Sequence, residues 1–167
     1  MSYPDLIYPP PRYHADTGEA TAQLLPADRD PDLRYPNGGR VHYLATYALT
    51  GGLFGLYRWE MSAAASGPGP HFHRTMTESF YVLDGTVRLY DGREWRDGRP
   101  GDYLFVPEGG IHGFRNESAE PASMLILFAP GATREPYFET LARVAAGLVM
   151  SDEEKVDFYA RHDNHWV

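Results

Sequence analysis

From residue 40 to residue 130 the chain is broken into short β-prone segments, each closed by a turn residue, and this pattern narrows the folds open to it. "VHYLATYAL", "GLYRWEM", "ESFYVLDGTVRLYDG", "GDYLFVP", "HGFRN" and "SMLILFA" are rich in Val, Tyr, Phe, Leu and Ile, with Gly, Pro or Asp between them. Regular short strands of this kind imply an all-β sandwich or barrel. Asp84-Gly85 supplies the positive φ angles of a type I′ turn and predicts a hairpin over residues 78–90, and Tyr90-Asp91-Gly92 marks the next turn. Along the first of these strands Glu78, Phe80 and Val82 share one face, while Ser79, Tyr81 and Leu83 share the other. Both faces are partly apolar. The outer one therefore calls for cover by a packed sheet, by the N-terminal arm or by a second subunit.

Different chemistry flanks the barrel region. Pro4, Pro9, Pro10 and Pro11 favour extended, non-helical backbone, so residues 1–39 are expected to form an arm and 40–130 the barrel core. After Pro130-Gly131 the period changes. Phe138, Leu141, Ala145 and Leu148 recur at helical spacing, and Ser151-Asp152-Glu153-Glu154 matches a capping box that opens a second helix, with Val156 and Tyr159 facing the domain. Residues 131–167 are thus expected to be helical, capping the outside of the barrel or, alternatively, acting as a lid. At 167 residues the chain is the size of one domain.

Composition limits the partners and the chemistry. A net charge of −8 with no run of Lys or Arg lacks the footprint of a nucleic-acid or anionic-membrane binder, which leaves a small molecule as the expected partner. The absence of cysteine excludes disulfides, thiolate catalysis and Cys-ligated metals, so any metal must be held by His, Asp or Glu. No stretch approaches the ~18 apolar residues of a membrane span, and the N-terminus lacks a basic region followed by an apolar one; a cytoplasmic location is the expectation.

Against this background the stretch "HFHRTMTESF" stands out. In a strand, His71 and His73 point to the same side while Phe72 faces away. Glu78 follows a short polar stretch that can bring the next strand alongside, so a carboxylate can join two imidazoles. Such a set suits Fe(II), Mn, Co, Ni or Zn. His14, His42, His162 and His165 carry no such pattern and read as ordinary surface or core histidines.

Together with a second stretch, "GDYLFVPEGGIHGFRN", the sequence resembles the cupin family. The first family motif has His-X-His, four residues, Glu, six residues and Gly, the spacing of His71, His73, Glu78 and Gly85. The second has Gly, five residues, Pro-X-Gly, two residues, His, three residues and Asn, matched by Gly101, Pro107, Gly109, His112 and Asn116. One position departs from it: the leading glycine of the first motif falls on Ala65, with Gly67 and Gly69 nearby. The resemblance implies a double-stranded β-helix, or jelly-roll barrel, and one divalent first-row transition metal ion per chain held by His71, His73, Glu78 and His112. It also implies a homodimer. Asn116 reads as a turn-fixing side chain, since a fifth protein ligand would close the site.

Four protein ligands leave positions open for substrate. Phe80, Val82 and Phe114 share the metal-bearing face by parity, and Met124, Ile126 and Phe128, or the alternate set Leu125 and Leu127, continue it. The register of "GLYRWEM" is open; were Arg58 to point inward, it would be the anchor for an acidic or phenolate substrate. The motifs are similar to those of the quercetin-dioxygenase-like type, in which Glu78 would be both ligand and base. Cupins also include metal-dependent cyclases and isomerases, and ligand-binding modules without turnover, and these stand as the alternatives.

Overall fold

A six-stranded and a three-stranded antiparallel sheet share one apolar core in the computed structural model, which describes residues 8–167. Pro4 of the expected arm lies outside the described residues. In chain order the elements are β1 (Leu33–Arg34), β2 (Arg40–Ala45), α1 (Tyr47–Thr50), β3 (Gly55–Met61), β4 (His71–Phe72), β5 (Thr77–Asp84), β6 (Val87–Tyr90) and β7 (Trp95–Gly98). There follow β8 (Tyr103–Val106), β9 (Gly113–Arg115), β10 (Ala122–Ala129), α2 (Glu135–Ala145), α3 (Asp152–Arg161) and β11 (His165–Trp166). The large sheet runs β1-β2-β3-β10-β5-β8, the small one β7-β6-β9, and β11 pairs with β4. No helix among the described residues is long and apolar enough to cross a membrane.

The expected hairpin over residues 78–90 is not formed. β5 has both edges taken, by β10 and β8, so the chain leaves the large sheet at Asp84-Gly85 and β6 starts the small sheet between β7 and β9. Gly85 still adopts a positive φ of 70°, but it serves a corner that packs on the start of β10, where a Cβ would collide with the Pro121 carbonyl. The hairpin lies one turn later, where Asp91-Gly92 joins β6 to β7 and Asp91 Oδ1 accepts from the Arg93 and Glu94 amides. "VHYLATYAL" is likewise not one strand. Thr46 ends β2 by accepting from the Leu49 amide as N-cap of α1, and Gly51, at φ 62°, closes that single turn.

Side-chain parity follows the sequence. Phe80 and Val82 on β5, Met124, Ile126 and Phe128 on β10, and Tyr57 and Met61 on β3 fill the core. Leu125 and Leu127 take the outer side of β10. Facing out, Tyr81 and Leu83 on β5 and Tyr103 and Phe105 on β8 form an exposed apolar strip. The large sheet begins at Leu33, inside the segment read as an arm, and Ala27 accepts from Arg58 on the outer face.

Helix α3 has the full capping box, with Ser151 accepting from the Glu154 amide and Glu154 Oε2 accepting from the Ser151 amide. Its inward side chains are Phe158 and Tyr159, whereas Val156, expected inside, is 71% exposed. Helix α2 ends at Ala145, before Leu148. Neither helix caps the barrel's outer surface alone, because Phe138 and Leu141 of α2 and Tyr159 of α3 line the cavity described next.

Candidate metal centre

His71, His73, Glu78 and His112 come from different elements and converge. The backbones of His71 and His112 bond each other in both directions at 2.9 Å, so the two motifs meet at a single antiparallel bridge. The Gly109 amide donates to the His73 carbonyl at 2.7 Å and draws the Pro107–Gly110 corner against β4. One ligand atom from each of the four side chains lies within 4.8 Å of all the others, and every side chain is buried.

The tautomers are set by the backbone. His71 Nδ1 lies 2.8 Å from the Gly69 carbonyl, His112 Nδ1 2.9 Å from that of Gly110 and His73 Nδ1 2.6 Å from that of Asp163. A carbonyl oxygen can only accept, so each Nδ1 carries its proton and each Nε2 presents its lone pair inward. Glu78 Oε2 is 2.9 Å from His73 Nε2 and 2.7 Å from His112 Nε2. Lone pairs at such distances need either protons or a cation among them.

Protons alone satisfy the set poorly. Burial works to raise the Glu78 carboxyl, but His112 and His73 beside it hold it well below the usual carboxylate range. Burial works to lower His112, and the Glu78 carboxylate overrides this and raises it. His71 is pushed down to about 4, by burial first and by His112 second, so it stays neutral near pH 7. Three imidazole nitrogens and one carboxylate oxygen with fixed tautomers fit a first-row divalent ion, for which these four residues could be the ligands.

The local sequence explains the framework. Phe72 points away from the ligands and stacks on His165 of β11 at 5.1 Å. Asp163 takes a left-handed φ of 53°, and its carboxylate accepts from the Arg74 and Thr75 amides while its carbonyl orients His73. The C-terminal segment thus holds the first ligand strand in place. The glycine missing at residue 65 is supplied at Gly67, where a Cβ would collide with the Phe114 carbonyl. Asn116 is the turn-fixing side chain expected: its Nδ2 donates to the Ser62 and Glu120 carbonyls and its Oδ1 accepts from Ser118.

A cavity of about 310 Å³ opens above the cluster, with His71 and Glu78 in its lining, within the size range of small-molecule sites. Trp59, Phe114, Phe128 and Phe138 give it aromatic walls, and Arg134, Tyr137, Tyr159, Asn164 and Trp166 enclose it from the C-terminal side. Of the residues expected in the pocket, Phe114 lines it. Phe80 lies behind, with its ring 5.8 Å from that of His112 and 5.7 Å from that of Phe114, and Val82 is deeper in the core. Arg58 is turned outward by the parity of β3, bonded to the Ala27 carbonyl and 3.3 Å from Glu60, so the anchor expected there is absent from the cavity.

The arginine in the cavity is Arg134, which sequence reasoning missed together with Tyr137, Asn164 and Trp166, whereas Trp59 lies on the face of "GLYRWEM" opposite Arg58, and that is the face turned inward. A signal existed for Arg134: it lies four residues before Phe138, on the stripe that continues through Leu141 and Ala145.

A jelly roll that gathers three imidazoles and a carboxylate from two such motifs defines the cupin class. Residues 57–128 match the family described as Cupin domain, and the barrel of this chain is a cupin domain. It is 37% identical over 88 residues to quercetin 2,3-dioxygenase of Bacillus subtilis (strain 168), covering 50% of this chain and 24% of that enzyme. A protein of Aquifex aeolicus (strain VF5) is 38% identical over 61 residues, 36% of this chain and 50% of that one. The matches therefore span a quarter and a half of those two proteins. Among solved structures, KdgF from Halomonas sp. shares the fold with a TM-score of 0.56 at 18% identity, over 66% of this chain and 96% of that one.

Proposed function

We propose that this protein is a metal-dependent enzyme acting on a small aromatic or enolisable molecule, as a dioxygenase of the quercetin-dioxygenase-like type. The observation that carries this reading is the inward convergence of three Nε2 lone pairs and the Glu78 carboxylate at an aromatic cavity. The similarity to the Bacillus subtilis enzyme supports the choice of reaction. His71, His73, Glu78 and His112 would hold one divalent first-row ion. When bound, that ion supplies Lewis acidity toward a phenol or enol oxygen.

The chain's own residues do the rest. Trp59, Phe114, Phe128 and Phe138 hold a flat substrate and keep water from it. Glu78 lines the cavity, and we assign it the acceptance of the substrate's hydroxyl proton. Its low proton affinity comes from N–H groups on His73 and His112. A bound divalent ion would take the place of those protons and, by its own charge, would likewise favour the carboxylate over the acid, leaving Glu78 able to accept a proton. As partner we propose a second copy of the chain, docked on the strip of Tyr81, Leu83, Tyr103 and Phe105 beside the unpaired edge strand β8. A monomer by light scattering at micromolar concentration would rule out that dimer.

The test of the enzyme is Glu78→Gln assayed by oxygen consumption with flavonols. The variant is expected to retain metal while turnover falls by ~10²-fold or more, in line with the loss of a general base. Unchanged turnover would reject the role of Glu78, and wild-type protein that holds metal but consumes no oxygen with any enolic substrate would reject the dioxygenase.

A further inference from the structure

Arg134 is an unusual residue to find in an aromatic cavity. It is 3% exposed and precedes the first turn of α2, and its guanidinium carbon lies 4.2 Å from the Tyr137 ring centre, 5.0 Å from that of Phe128 and 5.6 Å from that of Phe138. Nη1 donates to the His162 carbonyl at 2.7 Å. Nε is buried without a partner, and no carboxylate pairs with the group among the described residues. Burial pushes the guanidinium's proton affinity down, yet arginine stays charged throughout the pH range of folded proteins. A buried cation faced by aromatic rings and one carbonyl is an incomplete arrangement.

A second donor beside it is also incomplete. Asn164, 3% exposed, uses Oδ1 to accept from Tyr137 Oη at 3.2 Å, which leaves its Nδ2 buried and without a partner. Arg134 and Asn164 both line the cavity, and Phe128 neighbours both Arg134 and the cluster, its ring centre 5.0 Å from the guanidinium carbon and 6.3 Å from the His73 ring. Among the described residues Glu78 is the only carboxylate in the lining. With a divalent ion in place the cavity would carry a surplus of positive charge inside a chain whose net charge is −8.

We infer that the substrate carries a carboxylate on its aromatic body, received by Arg134 with Asn164 beside it, while its phenol or enol oxygen faces Glu78 and His71. An aromatic hydroxy acid is the class that meets both ends. The inference rests on the proposed function only in taking this cavity as the substrate site.

Isothermal titration calorimetry of the metal-loaded protein with 2-naphthoate and its neutral counterpart 2-naphthamide tests it, with metal content measured on the same samples. Wild type is expected to bind naphthoate ~10-fold or more tightly than naphthamide, as for a charge-assisted hydrogen bond. Arg134→Met should bring the two ligands within about twofold by weakening naphthoate alone, and Arg134→Lys should keep part of the preference, because lysine retains the charge but not the fork. Equal affinities in wild type, or a preference that survives Arg134→Met, would overturn the inference; the latter would place the carboxylate at the metal end. Should Arg134→Met fail to fold, Arg134→Lys decides, since a ratio equal to that of wild type would overturn it too. Absence of metal from wild type would sink the proposed function and leave the naphthoate ratio readable.

Discussion

At His42 and at His112 an imidazole lies almost fully buried beside a glutamate, 3.3 Å from Glu60 in the first case and 2.7 Å from Glu78 in the second. The neighbours make them different sites. Around His42 the cations are already part of the chain: Arg58 Nη2 is 3.0 Å from His42 Nε2, and Glu60 pairs with Arg40 at 2.7 Å and with Arg58 at 3.3 Å. His42 Nε2 must accept from the guanidinium, and burial followed by the Arg58 charge lowers its pKa. Around His112 no side-chain cation stands within the cluster among the described residues, and every imidazole is turned lone pair inward by a backbone carbonyl. Proximity of histidine to glutamate therefore does not by itself make a set that could hold a metal ion; convergent lone pairs without a resident cation do.

The largest expected effect breaks one cluster and spares the other. His73→Ala or His112→Ala should weaken metal binding by more than ~100-fold, beyond the 10- to 100-fold typical of a residue that only orients a ligand. His42→Ala, like His14→Ala and His162→Ala, should keep wild-type stoichiometry. Metal content by inductively coupled plasma mass spectrometry, followed by chelator competition, measures this. Equal retention in all five variants would mean that the cluster is not the site.

Acid separates the two clusters by degree. In metal-free protein, His71 and His42 both have folded-state pKa values below that of an unfolded histidine, His71 at about 4. For such a group the unfolded state binds the proton first, so stability is full above the unfolded value of ~6.5 and is lost as pH falls toward the folded value. For His71 the loss between pH 6.5 and 4 is on the order of 3 kcal/mol. Glu78, held low, adds a loss at still lower pH, whereas the stabilisation tied to His112, held high, is full below the unfolded value of ~6.5 and fades as pH rises from there through its raised folded value. Urea unfolding of the metal-free protein from pH 7.5 to 4.5 should show a slope that His71→Gln flattens strongly and His42→Gln flattens less. A slope untouched by His71→Gln would show that His71 is not the neutral member of the set.

The convergence of these four side chains was legible in the sequence because its signals are local: parity places His71 and His73 together, and the spacing to Glu78 and the Pro107–Gly110 corner need only short-range geometry. Strand faces were legible for the same reason, as at Glu78, Phe80 and Val82. What could not be read was sheet membership. Asp84-Gly85 has hairpin chemistry, but whether β5 pairs with β6 depends on β10 and β8 having taken both of its edges, and their pairing partners lie about 20 to 50 residues away. The enclosure of the cavity was hidden likewise, since Asp163 orients His73 across 90 positions. Ala65 looked like a departure from the motif, yet the close approach that needs a glycine occurs two residues on, at Gly67, and only the position of Phe114 shows it.

The smallest expected effect concerns the arginine on the outer side of the barrel. Arg58 is one-fifth exposed, and Glu60 keeps Arg40 when Arg58 is lost, so Arg58→Met removes one shared ion pair, the bond to the Ala27 carbonyl and the donor to His42. Partly exposed pairs contribute little, and the variant should lose about 1 kcal/mol of stability. It should leave metal content and the affinity for naphthoate unchanged, because Arg58 does not line the cavity. The same substitution at Arg134 removes a cation whose surroundings offer no replacement, and should change naphthoate binding whatever it does to stability. If Arg58→Met also weakened naphthoate, the outer cluster would be coupled to the cavity through β3, where Arg58 adjoins Trp59, and the division between a self-neutralised cluster and an open one would no longer hold.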